Sequence, residues 1–94
     1  MNILVNGAGR IGRNLIRRLI FSKKHRLNQI NDPYLTIENL AYLINYDSIY
    51  GKFSHKVKIK DNYLIAGYKK ILFTRDKDLL KKNIKKIDLI IDSS

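Results

Sequence analysis

The sequence predicts an α/β fold, a parallel sheet with helices on both faces and a small β-hairpin insertion. Three observations predict it. The apolar run Ile3-Leu4-Val5 lacks alternation, as expected of a parallel strand covered on both sides. Gly7, Gly9 and Gly12 follow at G-x-G-x-x-G spacing, and an amphipathic pattern begins at once. A second short apolar segment then leads to Asp32, twenty positions after Gly12. Strand, glycines, helix, strand and acid in that order are the fingerprint of a Rossmann-like, dinucleotide-binding sheet, here its first mononucleotide half.

Each part of the fingerprint has a mechanical reason. Gly7 lets the chain leave the strand in a tight turn. A side chain at Gly9 would hold the backbone away from a pyrophosphate, and a missing Cβ at Gly12 lets the helix lie close on the sheet. The helix N-terminus offers N–H groups and partial positive charge to phosphates, and Arg10 can add a full charge. Asp32 can accept hydrogen bonds from both adenosine ribose hydroxyls and would repel a 2′-phosphate, which favours NAD over NADP. The bland alternative is a glycine-rich βα turn with no ligand.

The elements follow in order. Asn2 to Val5 is the first strand. A helix spans about Arg10 to Phe21, with Ile11, Leu15, Ile16, Leu19 and Ile20 expected inside and Arg13, Arg17 and Arg18 on the other face. The basic run from Ser22 to Arg26 suits a helix C-terminus, and His25 is expected in solvent. Leu27 to Asn31 is the second strand, ended by Asp32 and Pro33. Thr36 is expected to cap a helix reaching about Asn45, with Ile37, Leu40, Leu43 and Ile44 as its apolar stripe. Tyr42 and Tyr46 are expected to pack. Tyr46 to Phe53 reads as a loop; Asp47, Ser48 and His55 do not stand in a nucleophile–base arrangement.

Val57, Ile59 and Leu64 alternate around a turn at Asp61-Asn62, and Ala66-Gly67 marks the next turn. Lys70 to Thr74 returns as a strand. Asp76 is placed to cap a short helix carrying Leu79, Leu80 and Ile84. Ile87 to Ile91 is a last apolar strand, followed by Asp92-Ser93-Ser94. Strands alternating with helices imply right-handed parallel crossovers and a ligand at the carboxyl ends of the strands.

Composition narrows the function classes. Ninety-four residues make one small domain, read here as a truncated NAD(P)-binding Rossmann domain over 1–94 with the substrate and catalytic domain absent. The chain has no cysteine, which removes disulfides, thiolate metal sites and a cysteine nucleophile. No apolar run reaches membrane-spanning length and no secretory pattern opens the chain, so a cytoplasmic location is expected. The formal net charge is +11, but the lysines read as scattered, and no specific nucleic-acid role is expected beyond weak polyanion binding.

Five stretches now resemble one family. They are Asn6 to Arg13, Ile30 to Pro33, Leu40 to Leu43, Tyr46 to Phe53 and Thr74 to Asp76. Together they resemble the N-terminal part of phosphorylating glyceraldehyde-3-phosphate dehydrogenases, over essentially the whole chain. The tyrosine–aspartate–serine stretch ending in Gly51-Lys52-Phe53 is the most specific of them.

The resemblance implies roles. Arg10 and Ile11 would give main-chain contacts to the pyrophosphate of NAD, and Asp32 would hold the adenosine ribose. Pro33 is similar to NAD-preferring members. Arg75 would meet the adenine edge through its main chain. Asp92-Ser93-Ser94 resembles a stretch that touches the cofactor near its middle. Ala8 stands where the family usually has Phe. The family's catalytic cysteine lies in a stretch this sequence does not contain, and neither His25 nor His55 matches its histidine base. No catalytic or metal residue is therefore assigned.

Two functional readings are set side by side. The chain is the NAD-binding part of such a dehydrogenase, inactive alone, or it is a stand-alone nucleotide-binding module without chemistry. A basic polyanion- or RNA-binding fragment ranks behind both, and Asn31-Asp32-Pro33 leans away from an erythrose-4-phosphate dehydrogenase. Ile87 to Ile91 is expected to pair beside the first strand and to leave an exposed edge open to self-association. NAD affinity is expected to be weaker than in a complete domain.

Overall fold

A computed structural model describes residues 1–47, 51–52, 56–78 and 87–94. Ten elements are defined among them. They are β1 (Asn2–Asn6), α1 (Arg10–Phe21), β2 (Arg26–Asn31), α2 (Ile37–Asn45), β3 (Tyr46–Asp47), β4 (Gly51–Lys52), β5 (Lys58–Lys60), β6 (Tyr63–Ala66), β7 (Lys69–Thr74) and β8 (Leu89–Asp92).

The main sheet has six strands in the order β5-β6-β7-β2-β1-β8. The four strands β7-β2-β1-β8, which run out to one edge, are parallel. β1 lies between β2 and β8, and β2 also pairs with β7. The expected partnership of the last apolar strand with the first is present, with Val5 opposite Ile91. The expected hairpin is also present, turning through Asp61 at φ 55°. It is not set apart from the sheet. β6 pairs antiparallel with β7, so the hairpin extends the same sheet and makes it mixed as a whole.

Tyr46 to Phe53, read as a loop, contains a short antiparallel ribbon in which Tyr46 faces Lys52 and Asp47 faces Gly51. Two-residue strands lie below the length at which alternation is visible in a sequence.

α1 begins and ends where the sequence placed it, but its buried face is rotated. Gly12, Ile16, Arg17, Leu19 and Ile20 are buried, whereas Ile11 is 78% exposed. A set spaced by four drifts about 40° per step on a helix of 3.6 residues per turn, so Ile11 falls off the edge of the stripe. Arg17 turns inward because it has a partner there. Its Nε donates to the Ile44 carbonyl at 2.9 Å, and Nη2 donates to the same oxygen. That carbonyl lies in the last turn of α2, where helix carbonyls lack intrahelical partners and a cation is favoured.

The contact also puts α1 and α2 on one face of the sheet, as two successive right-handed crossovers in the same direction require. The helix expected on the other face, over Leu79, Leu80 and Ile84, lies outside the described residues. Thr36 caps α2 as expected, its Oγ1 accepting from the Asn39 N–H at 3.1 Å.

One core lies between this helix pair and the sheet. Ile3, Val5 and Ile30 come from the strands, Ile16 and Ile20 from α1, and Leu40 and Ile44 from α2. Tyr42 and Tyr46 pack against each other with ring centroids 5.2 Å apart, at the surface rather than in the core, since Tyr42 is 63% exposed.

Candidate functional site

The carboxyl ends of β1, β2 and β8 converge on a cavity of about 430 Å³. Gly7, Gly9, Asp32, Pro33, Ser93 and Ser94 line it. These six came from the sequence. Asn6, Tyr34, Asp76 and Lys77 line it too; Asn6 and Asp76 fall within the stretches that carry the resemblance, but none of the four was assigned to the cofactor.

The three glycines do three different jobs. Gly7 has φ +99°, a left-handed conformation that L side chains avoid. A Cβ there would also lie 2.6 Å from the Ser94 nitrogen and 2.8 Å from its Cα. Gly9 caps α1 with φ −70° and ψ −165°. A Cβ on it would meet nothing within 4 Å, so the space above it is open. Gly12 faces neither. A Cβ there would run into the Gly7 carbonyl oxygen and come within 2.7 Å of Ser93 Oγ. The close packing it permits is therefore against the turn itself and the end of β8.

Backbone geometry makes the turn an anion cradle. The first intrahelical bond runs from Arg13 N to Gly9 O at 2.8 Å. Helix geometry leaves the N–H groups of Arg10, Ile11 and Gly12 without intrahelical acceptors. No side chain caps this end, and no acid stands in the first turn. Partial positive charge is thus presented beside Gly9. Arg10 and Ile11 are both exposed there. The Arg13 guanidinium reaches back to the Ala8 carbonyl at 3.1 Å and braces the turn from within.

Asp32 sits at the end of β2 and is 8% exposed. Oδ2 accepts the Ala8 N–H at 2.9 Å, and Oδ1 accepts the Tyr34 N–H at 2.8 Å. A carboxylate has about four lone-pair sites. Each oxygen therefore keeps acceptor capacity toward the cavity while its other bond holds the protein together.

A second network was not visible in the sequence. Asn31, 1% exposed, is buried beside the acid. Its Nδ2 donates to Asn6 Oδ1 at 2.9 Å and to the Asp76 carbonyl at 3.0 Å. Its Oδ1 accepts from Thr74 Oγ1 at 2.7 Å and from the Asp76 N–H at 2.9 Å. One amide thus ties β1, β2 and the segment after β7. Asp76, read as a helix cap, has its backbone in this network and its residue at the cavity. Arg75 lies on the far side of Pro33, with Nη2 3.4 Å from the Pro33 carbonyl, and borders a neighbouring groove instead of the cavity.

The end of β8 closes the site. Ser93 Oγ donates to the Gly7 carbonyl at 2.6 Å, and Ser93 N donates to Asn6 O at 2.8 Å. The Asp92 carboxylate accepts from both the hydroxyl (2.6 Å) and the N–H (3.1 Å) of Ser94. These two bonds hold its pKa below the ordinary value of 3.8. Among the described residues no cluster of histidine, cysteine or acid is arranged to hold a metal. His25 is exposed in the loop after α1, its N–H donating to Ser22 Oγ at 3.1 Å. His55 lies outside the described residues.

Comparison with known proteins agrees with this geometry. Residues 1–94 match the family described as glyceraldehyde 3-phosphate dehydrogenase, NAD binding domain. Glyceraldehyde-3-phosphate dehydrogenase 3 of Kluyveromyces marxianus is 38% identical over 96 residues, covering 100% of this chain and 29% of that protein. Glyceraldehyde-3-phosphate dehydrogenase 1 of Schizosaccharomyces pombe is 35% identical over 92 residues, covering 96% of this chain and 27% of that protein. A glyceraldehyde-3-phosphate dehydrogenase 1 of Agaricus bisporus is 41% identical over 71 residues, covering 76% of this chain and 21% of that protein. The chain thus spans less than a third of the length of these curated relatives.

Proposed function

This chain belongs to the family of glyceraldehyde 3-phosphate dehydrogenase NAD binding domains, and on that premise we propose that its carboxyl-end cavity holds the adenosine and pyrophosphate part of NAD. The observation that carries the reading is the open space at Gly9 beside the uncapped start of α1, with Asp32 across the same cavity. The backbone at Gly9 lets a pyrophosphate approach, and the first-turn N–H groups, those of Arg10 and Ile11 among them, donate to it. The free lone pairs of Asp32 accept the ribose hydroxyls, and its charge disfavours a 2′-phosphate. Pro33 fixes the turn that presents the acid. Ser93 and Ser94 border the cofactor near its middle, and the adenine edge passes Asp76, which lines both the cavity and the neighbouring groove, to meet the Arg75 main chain.

NAD, when bound, accepts hydride in the oxidative phosphorylation of glyceraldehyde 3-phosphate by enzymes of this kind. Residues 1–94 hold and orient the cofactor and supply no thiol nucleophile, since the sequence has no cysteine. We assign them as the N-terminal part of a Rossmann domain, working in glycolysis, cytoplasmic, and without dehydrogenase activity by themselves. Among the described residues no helix is long and apolar enough to cross a membrane. The outer edge of β8 gives the chain a route to self-association.

Calorimetric titration tests the reading. NAD binds saturably, AMP competes with it, and nicotinamide mononucleotide does not. Asp32→Ala weakens NAD by more than about tenfold, the loss of one charge-assisted hydrogen bond. A chain that binds nicotinamide mononucleotide as well as AMP, or NAD unchanged by Asp32→Ala, would overturn it. A stand-alone nucleotide-binding module shares this site and differs in the cell, where it would bind NAD without any dehydrogenase partner chain.

A further inference from the structure

At the opposite end of the sheet lies a second cavity, of about 390 Å³. It is built where the amino ends of β2 and β7 lie side by side, since these strands are parallel neighbours. The loop after α1 forms one wall, and the turn into β7 forms the other. Lys23, Lys24, His25 and Arg26 line it from the first segment, and Lys69 and Lys70 from the second. Among the described residues no aspartate or glutamate lines it. Charges that read as scattered in the sequence are therefore collected by topology onto one cavity.

One of these cations is fixed by bonds of its own. Lys69 Nζ donates to the Ile20 carbonyl, and to the Ser22 carbonyl at 3.2 Å. These carbonyls belong to the C-terminal end of α1, so Lys69 offsets the negative pole of the helix. Lys70, the next residue of β7, carries its ammonium to the other face of the sheet, 4.2 Å from the centre of the Tyr63 ring, so its charge stands outside the cleft. Lys23, Lys24 and Arg26 are exposed around the opposite rim. The floor is apolar and rigid, made of the buried residues Leu19, Leu27 and Ile71.

Like charges brought together over a low-dielectric floor repel one another and concentrate a positive field in the cleft. A counter-anion relieves both. A singly charged ion in so open a site gains little over bulk water. An anion carrying several charges along its length can meet both walls at once. The cavity also falls within the roughly 300–1,000 Å³ range of small-molecule sites. We infer that this amino-end cavity binds a small multivalent phosphate, bridged between the Lys23–Arg26 segment and Lys69.

The test uses inorganic tripolyphosphate as the probe, titrated into the whole chain at physiological ionic strength. Saturable one-to-one binding is expected. The double variant Lys23→Ser/Lys24→Ser and the single variant Lys69→Met each weaken it about fivefold or more, because they sit on opposite walls, whereas Lys70→Ser changes it less than roughly twofold. Lys58→Ser/Lys60→Ser, which removes two charges from the exposed strand β5, changes it less than roughly twofold. The same titration in saturating NAD gives the same affinity, which separates this site from the cofactor cavity. Far-ultraviolet circular dichroism establishes that each variant is folded. Three outcomes overturn the inference: no saturable binding, equal weakening by the β5 variant, or an oligonucleotide that engages these lysines where tripolyphosphate does not.

Discussion

The Asp32 carboxylate accepts the Ala8 N–H at 2.9 Å across 24 residues of sequence, joining the end of β2 to the glycine turn. The acid that recognises ribose is therefore also a clasp of the fold. Removing it leaves the Ala8 and Tyr34 N–H groups without their acceptor. A buried donor left unsatisfied costs about 1–3 kcal/mol. Asp32→Ala should lower the melting temperature as well as the NAD affinity, and binding must be read well below the variant's melt. An unchanged melting temperature would show that the clasp contributes nothing.

The glycines separate stability from binding. Gly9→Ala places a methyl in open space at a backbone angle alanine accepts. It should change stability by no more than about 1 kcal/mol and weaken NAD about tenfold or more by blocking the pyrophosphate. Gly12→Ala gains helix propensity of about 1 kcal/mol. It then collides with the Gly7 carbonyl, a backbone group that cannot swing away. A loss above about 4 kcal/mol is expected, which is a large part of the stability of a small domain. Thermal melts of the two variants check this, with Gly9→Ala folded and Gly12→Ala not.

Arg17 should behave as a structural residue. Arg17→Met keeps much of the buried stem but leaves the Ile44 carbonyl without the guanidinium. The expected cost is about 1–3 kcal/mol, or roughly 4–8 °C in melting temperature for each kcal/mol. NAD affinity should stay within about twofold, because Arg17 is remote from the cavity lining. A tenfold drop in affinity without a shift in melting would contradict this assignment.

Asp92 gives a pH prediction with a definite sign. Its pKa is lowered by the Ser94 hydroxyl first and the Ser94 N–H second. A depressed folded-state pKa contributes stability that is present above the unfolded value and lost as pH falls through the folded one. The group is fully exposed, so the effect is local. The carboxyl carbon resonance of Asp92 should titrate with a midpoint below 3.8. Ser94→Ala should raise that midpoint by removing the larger of the two causes, and a midpoint indifferent to the substitution would exclude the hydroxyl.

The two edges of the sheet predict different behaviour. β5 is three residues long and places Lys58 and Lys60 on either side of Ile59, a device that discourages strand pairing. β8 carries its one charge at its last residue, Asp92, and leaves its apolar start open: Leu89 is 42% exposed and Ile90 39% exposed. Among the described residues no strand pairs on its outer side. Sedimentation velocity across a concentration series should show the average mass rising, and Ile90→Lys should hold the chain as a monomer. A parent chain that stays monomeric throughout would refute this.

Local pattern was enough for much of this fold. The bounds of α1, the Thr36 cap, the turn at Asp61 and the partnership of β8 with β1 all follow from periodicity, capping chemistry and parallel topology. Local pattern was not enough where a long-range partner decides. Nothing in the helical spacing marks Arg17 as buried, because its acceptor is a main-chain carbonyl in another helix. Asn31 reads as an ordinary strand end, yet its amide collects bonds from three segments. Asp32 was legible as a ligand acceptor and not as a clasp, since its partners are backbone N–H groups without sequence identity. Tyr34 and Lys77 reach the cavity through the folding of their loops, which no motif encodes, and Asp76, read as a helix cap, arrives there the same way.

The seat of Gly7 against Ser93 and Ser94 also sets an order of events. The Ser93 hydroxyl that meets the Gly7 carbonyl lies 86 residues further along the chain. During synthesis the glycine turn leaves the ribosome long before the strand that packs on it. Closing so long a loop carries an entropy cost that only the finished sheet repays. The cofactor turn, though encoded first and held by Asp32, therefore gains its contacts with Ser93 and Ser94 only once β8 has joined the sheet.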